Sequence, residues 1–206
     1  MAGRLITIEG IDGAGKSTLA AALEASLARA GTPVVLLREP GGVALSERLR
    51  TVVKDPELRV DPAAEALIYA AARAQLVAER LRPLLDEGRW VLLDRFVDSS
   101  LAYQGAGRGL GVDTVRAVNA LATGGLAPDR TLLLRLDAVT GRARQGVRGE
   151  EADRLEREGD DFFATIAAAY DGLAAAEPER FRVLDATAGP DAVLAAALDA
   201  LADLRT

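Results

Sequence analysis

Residues 10–18 read GIDGAGKST, and this stretch decides the fold. It matches G-x-x-x-x-G-K-[ST], the pattern of a phosphate-binding loop. The apolar run 5–8 before it predicts a buried strand, and Leu19, Leu23 and Leu27 after it predict one face of a helix. A glycine loop between a strand and a helix directs backbone N–H groups and a helix N-terminus at an anion. The stretch therefore predicts a site for nucleotide phosphates.

Two side chains of this loop have expected roles in that site. Lys16 is placed to reach the β- and γ-phosphates, and the Ser17 hydroxyl is placed to bind Mg²⁺. Lysine is otherwise scarce, since Lys54 is the only other one in the sequence. The predicted nucleotide-binding residues are Gly10, Asp12, Gly13, Ala14, Gly15, Lys16, Ser17 and Thr18.

The composition narrows the chemistry. The chain has 206 residues, half of them hydrophobic, and a net charge of −6, which predicts one globular domain over 1–206 and argues against nucleic acid as a partner. It contains neither cysteine nor histidine, so disulfides, thiolate or imidazole metal sites and Ser-His-Asp mechanisms are excluded. Phosphoryl transfer fits what remains, because it depends on positioning and charge. No apolar run is long enough to span a bilayer. Glu9 interrupts the first apolar run, which is therefore too short for the apolar region of a signal peptide. We therefore expect a cytoplasmic protein.

Strand and helix patterns alternate along the whole chain. Further strands are predicted at 34–37, 90–94, 131–136 and 181–185, and helices at 44–53, 62–87, 98–104, 113–122, 162–176 and near the C-terminus. Pro83 is expected to kink its helix, and the glycine-rich segment 105–111 is expected to separate two helices. The alternation predicts a three-layer α/β protein of the P-loop NTPase fold, with a five-stranded parallel sheet and helices on both faces. Ligands then bind beyond the carboxyl ends of the strands.

Two further segments carry charge near that edge. Asp94 ends an apolar strand, as the carboxylate that helps hold Mg²⁺ in such folds does, and Arg95 follows it directly. The stretch 142–161 is rich in arginine and acidic residues. It is interpreted either as a solvated, ion-paired helix face or as a mobile lid, at about 141–154, that excludes water and neutralises charge.

Four motifs in order resemble those of the bacterial thymidylate kinases. They are the phosphate loop, the segment Arg38–Gly42, the triplet Asp94–Phe96 and the segment SSLAYQGAGRG at 99–109. The resemblance implies transfer of the ATP γ-phosphoryl group to dTMP, with Mg²⁺, by a homodimer. Phe96 stands where relatives often have Tyr or His, and the lid is somewhat longer than in some relatives.

The resemblance also implies contacts to the sugar and phosphate of dTMP. Asp12 matches an acidic residue near the 3′-hydroxyl, while Arg38 and Arg50 match contacts to the monophosphate. Pro40 follows a peptide bond that is often cis in the family, which aims this loop at the nucleotide. Tyr103 matches a tyrosine that closes over the 2′ carbon and disfavours ribonucleotides.

The residues expected to contact the base lie on one helix face and in the segment 99–104. Tyr69 and Arg73 lie one helical turn apart and match an aromatic that stacks on thymine and an arginine that reads its O4. Ser100 matches a polar contact to the base, and Ser99 and Gln104 are taken as further substrate contacts. The O4 and N3 contacts would also accept uracil.

The catalytic charge is assigned to arginines outside the loop. Some relatives carry a catalytic arginine in the phosphate loop and others in the lid; no arginine stands between Gly10 and Lys16. Arg144 and Arg148 in the lid are therefore the candidates, together with Arg95. Lys16 and Asp12 complete the expected catalytic set, and Ser17 and Asp94 the expected metal site.

Two alternatives remain open at this stage. The same fold could phosphorylate another nucleoside monophosphate or a nucleoside, which the pocket around Tyr69 and Arg73 would decide. The chain could instead be a P-loop ATPase or switch. A GTPase would need a guanine-reading N-K-x-D segment, and neither lysine follows an asparagine.

Overall fold

The computed structural model describes residues 3–146 and 153–205. Within these ranges, five parallel strands form one sheet in the order β2-β3-β1-β4-β5. The strands are β1 (Arg4–Glu9), β2 (Val34–Arg38), β3 (Trp90–Asp94), β4 (Arg130–Arg135) and β5 (Phe181–Asp185). All five strands were predicted from the sequence, each within one residue of its observed ends.

Helices connect the strands. They are α1 (Lys16–Arg29), α2 (Ala44–Lys54), α3 (Pro62–Leu76), α4 (Arg82–Asp86), α5 (Val97–Ser100), α6 (Val112–Thr123), α7 (Ala138–Gly146), α8 (Asp160–Ala176) and α9 (Pro190–Asp199). A short 3₁₀ turn, Ala202–Leu204, follows α9. In the part of the chain that the structure describes, no helix is long and apolar enough to cross a membrane.

The helices cover both faces of the sheet, as the alternating pattern predicted. Ile6 and Ile8 of β1 pack in one buried cluster with Leu23 of α1, whereas Leu5 packs in a second cluster with Leu76 of α3. Successive residues of a strand point to opposite faces, so α1 and α3 lie on opposite sides of the sheet. The three-layer α/β architecture is thereby confirmed.

The long helix predicted at 62–87 is present, but its irregularity differs from a simple kink. A π-helical turn, Val77–Leu81, joins α3 to α4 directly ahead of Pro83. Proline has no N–H, and its ring clashes with the carbonyl of the residue four positions earlier in a regular α-helix. The wider π turn relieves that clash, so the helical run continues through the proline.

The glycine-rich segment 105–111 is partly helical, which corrects the sequence interpretation. A π-helical turn, Leu101–Gly107, continues α5 into this segment. A Cβ atom at Gly107 would lie 2.7 Å from the Phe162 ring. The glycine is therefore needed for close packing against α8 rather than for breaking a helix. Periodicity alone missed this, because glycine usually ends a helical pattern.

Candidate active site

The phosphate-binding loop lies at the carboxyl end of β1, as predicted. Gly10, Gly13 and Gly15 have φ values of 138°, 81° and 93°, a region that glycine enters at little cost. A Cβ at Gly13 would stand 2.2 Å from the carbonyl oxygen of Gly141 in α7. Only glycine therefore allows α7 to approach the loop this closely. α1 starts at Lys16, so its N-terminus faces the loop.

Lys16 is buried at the centre of the loop. Its Nζ donates to the carbonyls of Gly10 at 3.0 Å and Ile11 at 2.8 Å. Burial, followed by repulsion from Arg95, lowers its pKa to about 8. Both of these hydrogen bonds go to neutral carbonyl oxygens, which the ammonium can exchange for phosphate oxygens.

Ser17 and Asp94 meet where the loop faces the end of β3. The Ser17 hydroxyl donates to Asp94 Oδ2 at 3.0 Å, and Asp94 pairs with Ile8 across the sheet. Both side chains offer hard oxygen ligands, the kind that Mg²⁺ prefers. In the described ranges, no group of three or more acidic side chains gathers as a cage for a metal. Mg²⁺ binds proteins through one or two carboxylates and keeps several waters.

Arg95 and Asp12 form the polar centre of the site. The Arg95 guanidinium lies 2.5 Å from Asp12 Oδ1 and donates to the Gly10 carbonyl at 3.1 Å. Tyr103 donates from its hydroxyl to Asp12 Oδ2 at 2.8 Å, and Ser99 accepts from Arg95 at 3.1 Å. Burial alone would raise the pKa of Asp12, but the charges of Arg95 and Lys16 hold it below its usual range.

Arg95 has an unusual backbone conformation, which explains how its side chain reaches Asp12 and the Gly10 carbonyl. Its φ of 70° is the one positive value among the described non-glycine residues. Such a conformation costs free energy and persists only where the surroundings impose it. Here it turns the side chain back toward the loop, directly after Asp94 has ended β3.

A first cavity of about 280 Å³ opens beside the loop and contains every predicted substrate contact. These eleven lining residues are Asp12, Arg38, Pro40, Arg50, Tyr69, Arg73, Arg95, Ser99, Ser100, Tyr103 and Gln104. Lys16, Ser17 and Asp94 line the same cavity, so the predicted phosphate and metal groups border the predicted substrate contacts. The residues come from five separate segments of the chain, and the fold brings them together.

Arg73 is the most buried polar side chain of the first cavity, with 1% of its surface exposed. Its guanidinium donates to Glu39 at 2.7 Å and to Ser100 Oγ at 2.9 Å. Further bonds go to the Phe96 carbonyl at 2.9 Å and to Asn119 Oδ1. Arg73 is therefore fixed in place, and a hydrogen bond to a base would have to replace or share one of these contacts.

Two buried carboxylates at this edge were missed by the sequence analysis. Glu9 ends β1 and accepts from the Phe96 N–H, Ser99 and Tyr170 at 2.7, 2.6 and 2.9 Å. Burial, and then the nearby Asp98, raise its pKa. Glu39 follows β2 and pairs with Arg73, and burial raises its pKa to about 7 despite that arginine. Their positions just after apolar strands were the one available signal.

The monophosphate contacts expected from resemblance lie at the cavity mouth. The Arg38 side chain is 54% exposed and pairs with Glu47 at 3.0 Å. Arg50 is half-buried and donates to the Pro40 carbonyl at 2.9 Å. The Glu39–Pro40 peptide bond is cis, as expected.

The described residues of the predicted lid lie in two different places beside the phosphate loop. After the undescribed stretch, Asp153 lies 2.6 Å from Lys54, and Asp153, Leu155 and Glu156 line the first cavity. Arg144 lies elsewhere, in α7. Arg148, the other candidate for the catalytic arginine, falls outside the described residues.

A second cavity, also of about 280 Å³, lies on the other side of the phosphate loop. Arg144 lines it and donates to the Ala186 carbonyl at 2.9 Å. Most of the remaining lining is small or apolar, namely Gly13, Ala14, Gly15, Thr18, Leu19, Ala22, Leu134, Ala186, Ala188, Pro190, Asp191, Val193 and Leu194. The two cavities share Gly13 and Gly15, so a phosphate chain on the loop would connect them.

Comparisons with known proteins agree on one family. A family model described as thymidylate kinase matches residues 8–196, a range that contains every residue lining the two cavities. A thymidylate kinase of Deinococcus radiodurans is 51% identical over 189 residues, covering 92% of this chain and 91% of the relative. One of Rhizorhabdus wittichii is 44% identical and covers 99% of both chains. The crystal structure of thymidylate kinase from Ehrlichia chaffeensis matches with a TM-score of 0.79 at 27% identity, over 98% of this chain and 99% of that one.

Proposed function

The chain belongs to the thymidylate kinase family, and we infer that it transfers the γ-phosphoryl group of ATP to dTMP, giving dTDP and ADP. One observation carries the assignment of the site. All eleven residues expected to contact dTMP line one cavity, which residues of the phosphate loop also line. A monophosphate held there faces a nucleotide on the loop.

We propose that dTMP occupies the first cavity. Tyr69 stacks on the thymine, and Arg73, Ser100 and Gln104 supply polar contacts to its edge. Tyr103 and Asp12 lie together beside the sugar, where the Tyr103 hydroxyl donates a hydrogen bond of 2.8 Å to Asp12. The tyrosine ring leaves little room for a 2′-hydroxyl, and the carboxylate accepts from the 3′-hydroxyl.

The dTMP phosphate points toward the mouth-side arginines and the loop. Arg38, Arg50 and Arg95 supply fork-shaped donors, which suit phosphate oxygens. Arg38 pairs with the exposed Glu47, and Arg50 donates to the neutral carbonyl of Pro40. A phosphate can replace either partner. Ser99 holds Arg95 in place from the far side.

We propose that ATP binds with its phosphates on the loop and its adenine in the second cavity. Gly10, Gly13, Ala14, Gly15, Ser17 and Thr18 surround the phosphates with backbone N–H groups and hydroxyls. The segment after β5, including Ala186, then packs beside the base. Arg144 borders this cavity and is placed to contact the donor nucleotide.

In the reaction, an oxygen of the dTMP phosphate attacks the γ-phosphorus of ATP. A new P–O bond forms, the bond to the bridging oxygen of ADP breaks, and ADP leaves with the electron pair. The attacking oxygen is already anionic, so no strong general base is needed. Lys16 and Arg95 stabilise negative charge on the moving group, and a lid arginine, Arg144 or Arg148, completes this set.

Ser17 and Asp94 would hold Mg²⁺, since their oxygens lie 3.0 Å apart and both side chains line the first cavity. The bound metal would neutralise charge on the β- and γ-phosphates. Asp94 also orients the Ser17 hydroxyl. The remaining charge stabilisation falls to Lys16 and the arginines.

We further propose that the enzyme is a single kinase domain that acts as a homodimer in the cytoplasm. Leu67 of α3 and Leu121 of α6 are 58% and 88% exposed on helices that pack against each other. These exposed leucines on neighbouring helices are candidates for burial against a second copy. Light scattering during gel filtration would give the mass, and a monomeric mass would reject this assembly.

The activity is tested by coupled ADP release with Mg-ATP. The acceptors dTMP, dUMP, UMP, dCMP, dGMP and AMP are offered separately, beside a reaction without acceptor. Turnover with dTMP, and weaker turnover with dUMP, is the expected result. Preference for a different acceptor would overturn the base pocket, and ADP release that ignores the acceptor would favour an ATPase or switch.

A further inference from the structure

A fully buried carboxylate lies just behind the first cavity. Glu65 is 0% exposed, in the first turn of α3, and does not line the cavity itself. Three side chains surround it. Gln104 Nε2 donates to it at 2.8 Å, and Arg108 and Arg154 pair with it at 3.2 and 2.6 Å. The two arginines compensate the charge of this buried side chain.

The contact to Gln104 fixes how that side chain faces the cavity. A carboxylate only accepts hydrogen bonds, whereas the two ends of a glutamine amide are a donor and an acceptor. Gln104 must therefore direct its NH₂ group at Glu65. Its Oε1 accepts no hydrogen bond from the described residues, and Gln104 lines the cavity. The cavity thus presents a hydrogen-bond acceptor at this point, and not a donor.

We propose that Glu65 contributes to the base specificity of the enzyme, beside the O4 contact expected of Arg73, by locking the amide of Gln104. The proposal rests on dTMP occupying the first cavity. Thymine and uracil carry a hydrogen on N3, which Oε1 accepts. Cytosine has a bare acceptor at N3, which would face Oε1 without a hydrogen between them. Glu65 is a positioning residue in this scheme, since it touches Gln104 and not the substrate.

The donor–acceptor mismatch separates bases of nearly equal size. Shape alone discriminates weakly between cytosine and uracil, because their rings are almost isosteric. A buried polar group that faces a like partner loses its hydrogen bond and remains desolvated. Fixing the amide prevents Gln104 from rotating to present its NH₂ to cytosine N3 instead.

The test compares kcat/KM for dTMP with kcat/KM for dCMP in Glu65→Gln. A glutamine at 65 both donates and accepts, so the Gln104 amide can adopt either orientation. The expected result is a fall of about tenfold or more in the dTMP:dCMP ratio. A role in folding alone would lower both values together and leave the ratio unchanged, which would overturn the proposal.

Arg108→Met is the matched control. It removes a charged partner of Glu65 and a contact with Glu158, but leaves the bond from Gln104 in place. The ratio should stay within about twofold of the unchanged enzyme even if stability falls. A ratio that drops as far as in Glu65→Gln would show that general loosening, and not amide orientation, sets the preference.

A second variant covers the case in which Glu65→Gln does not fold. Gln104→Met keeps Glu65 with both arginines and removes the amide. It should lower the dTMP:dCMP ratio to a similar extent, and an unchanged ratio would overturn the proposal. The unmodified enzyme separates the two hypotheses. If it does not phosphorylate dTMP, the proposed function fails; if it does and the ratio resists both substitutions, only the role of Glu65 fails.

Discussion

The two cavities beside the phosphate loop have the same volume, about 280 Å³, and opposite chemistry. The first is walled by buried side chains that already hold one another, among them Arg73 with Glu39 and Arg95 with Asp12. The second is lined mainly by alanine, leucine, valine and glycine, with Arg144 at its border. Polar groups held in fixed positions reject a ligand that does not match them, whereas apolar walls discriminate by little more than size. The comparison predicts strict choice of the acceptor and tolerant choice of the donor base.

The largest effect is expected at Arg95, which lines the first cavity beside the phosphate loop. Arg95→Ala removes the guanidinium that joins Asp12, Tyr103 and the Gly10 carbonyl. We expect kcat to fall about 10³-fold, because charge on the transferred group loses a preorganised donor. Arg95→Lys is the matched control, since it keeps the charge but not the fork. It should recover only part of the loss in steady-state assays, and an Arg95→Ala enzyme with kcat within tenfold of normal would exclude a catalytic role.

Arg73→Met tests whether the first cavity depends on its ionic framework. The substitution leaves Glu39 buried without its partner, so the free energy of unfolding should fall by about 3–5 kcal/mol. Urea unfolding measures this change. The double variant with Glu39→Gln should recover part of it, because the unpaired charge is then gone. A loss for Arg73→Met below about 1 kcal/mol would mean that the framework is not needed.

Arg144→Met makes the corresponding change at the second cavity. Arg144 contacts only the Ala186 carbonyl among described protein groups, so stability should change by less than about 1 kcal/mol. We expect KM for ATP to rise about three- to tenfold, as for one lost charged contact, with KM for dTMP unchanged. Initial-rate kinetics with each substrate varied in turn separate the two constants. A rise in KM for dTMP alone would place Arg144 on the wrong side of the loop.

Donor choice gives a test without any substitution. With dTMP saturating, kcat/KM for ATP should exceed that for GTP by no more than about tenfold, because few polar side chains line the second cavity. The preference for dTMP over dCMP should be much larger. Equal or greater discrimination at the donor side would show that the second cavity recognises its base as strictly as the first.

The smallest effect is a pH dependence that arises from Lys16. Its pKa of about 8 lies below the ordinary 10.5, so the free loop loses its ammonium charge above pH 8. We expect KM for ATP to rise several-fold between pH 8 and 9.5. The free energy of unfolding should increase over the same range. Between pH 8 and 10.5 the unfolded chain binds this proton and the folded chain does not, so folding becomes more favourable as pH rises. Lys16→Arg should abolish both trends.

The sequence predicted those features that depend on neighbours along the chain. Each strand, the glycine loop and Asp94 at the end of β3 follow from local patterns of residues, and the fold has confirmed them. The substrate contacts came from a resemblance in motifs, and their assembly along one cavity supports the roles assigned to them. The roles themselves remain proposals.

The remaining features depend on packing between distant segments. Asn119 and Glu39 reach Arg73 from 46 and 34 residues away, and nothing in their local sequence indicates that contact. Glu65 shows the limit more clearly, because a glutamate in the first turn of a helix is ordinarily an exposed residue at the positive end of the dipole. Its burial beside Gln104, Arg108 and Arg154 becomes visible only in three dimensions.

The most direct test of the account is a crystal structure with dTMP and a non-hydrolysable ATP analogue bound together. We expect thymine in the first cavity, its ring against Tyr69 and its N3 within hydrogen-bonding distance of Gln104 Oε1. We expect adenine in the second cavity beside Ala186, with the phosphates of both ligands meeting at Lys16 and Arg95. A pyrimidine in the second cavity, or adenine in the first, would show that the two sites are assigned wrongly.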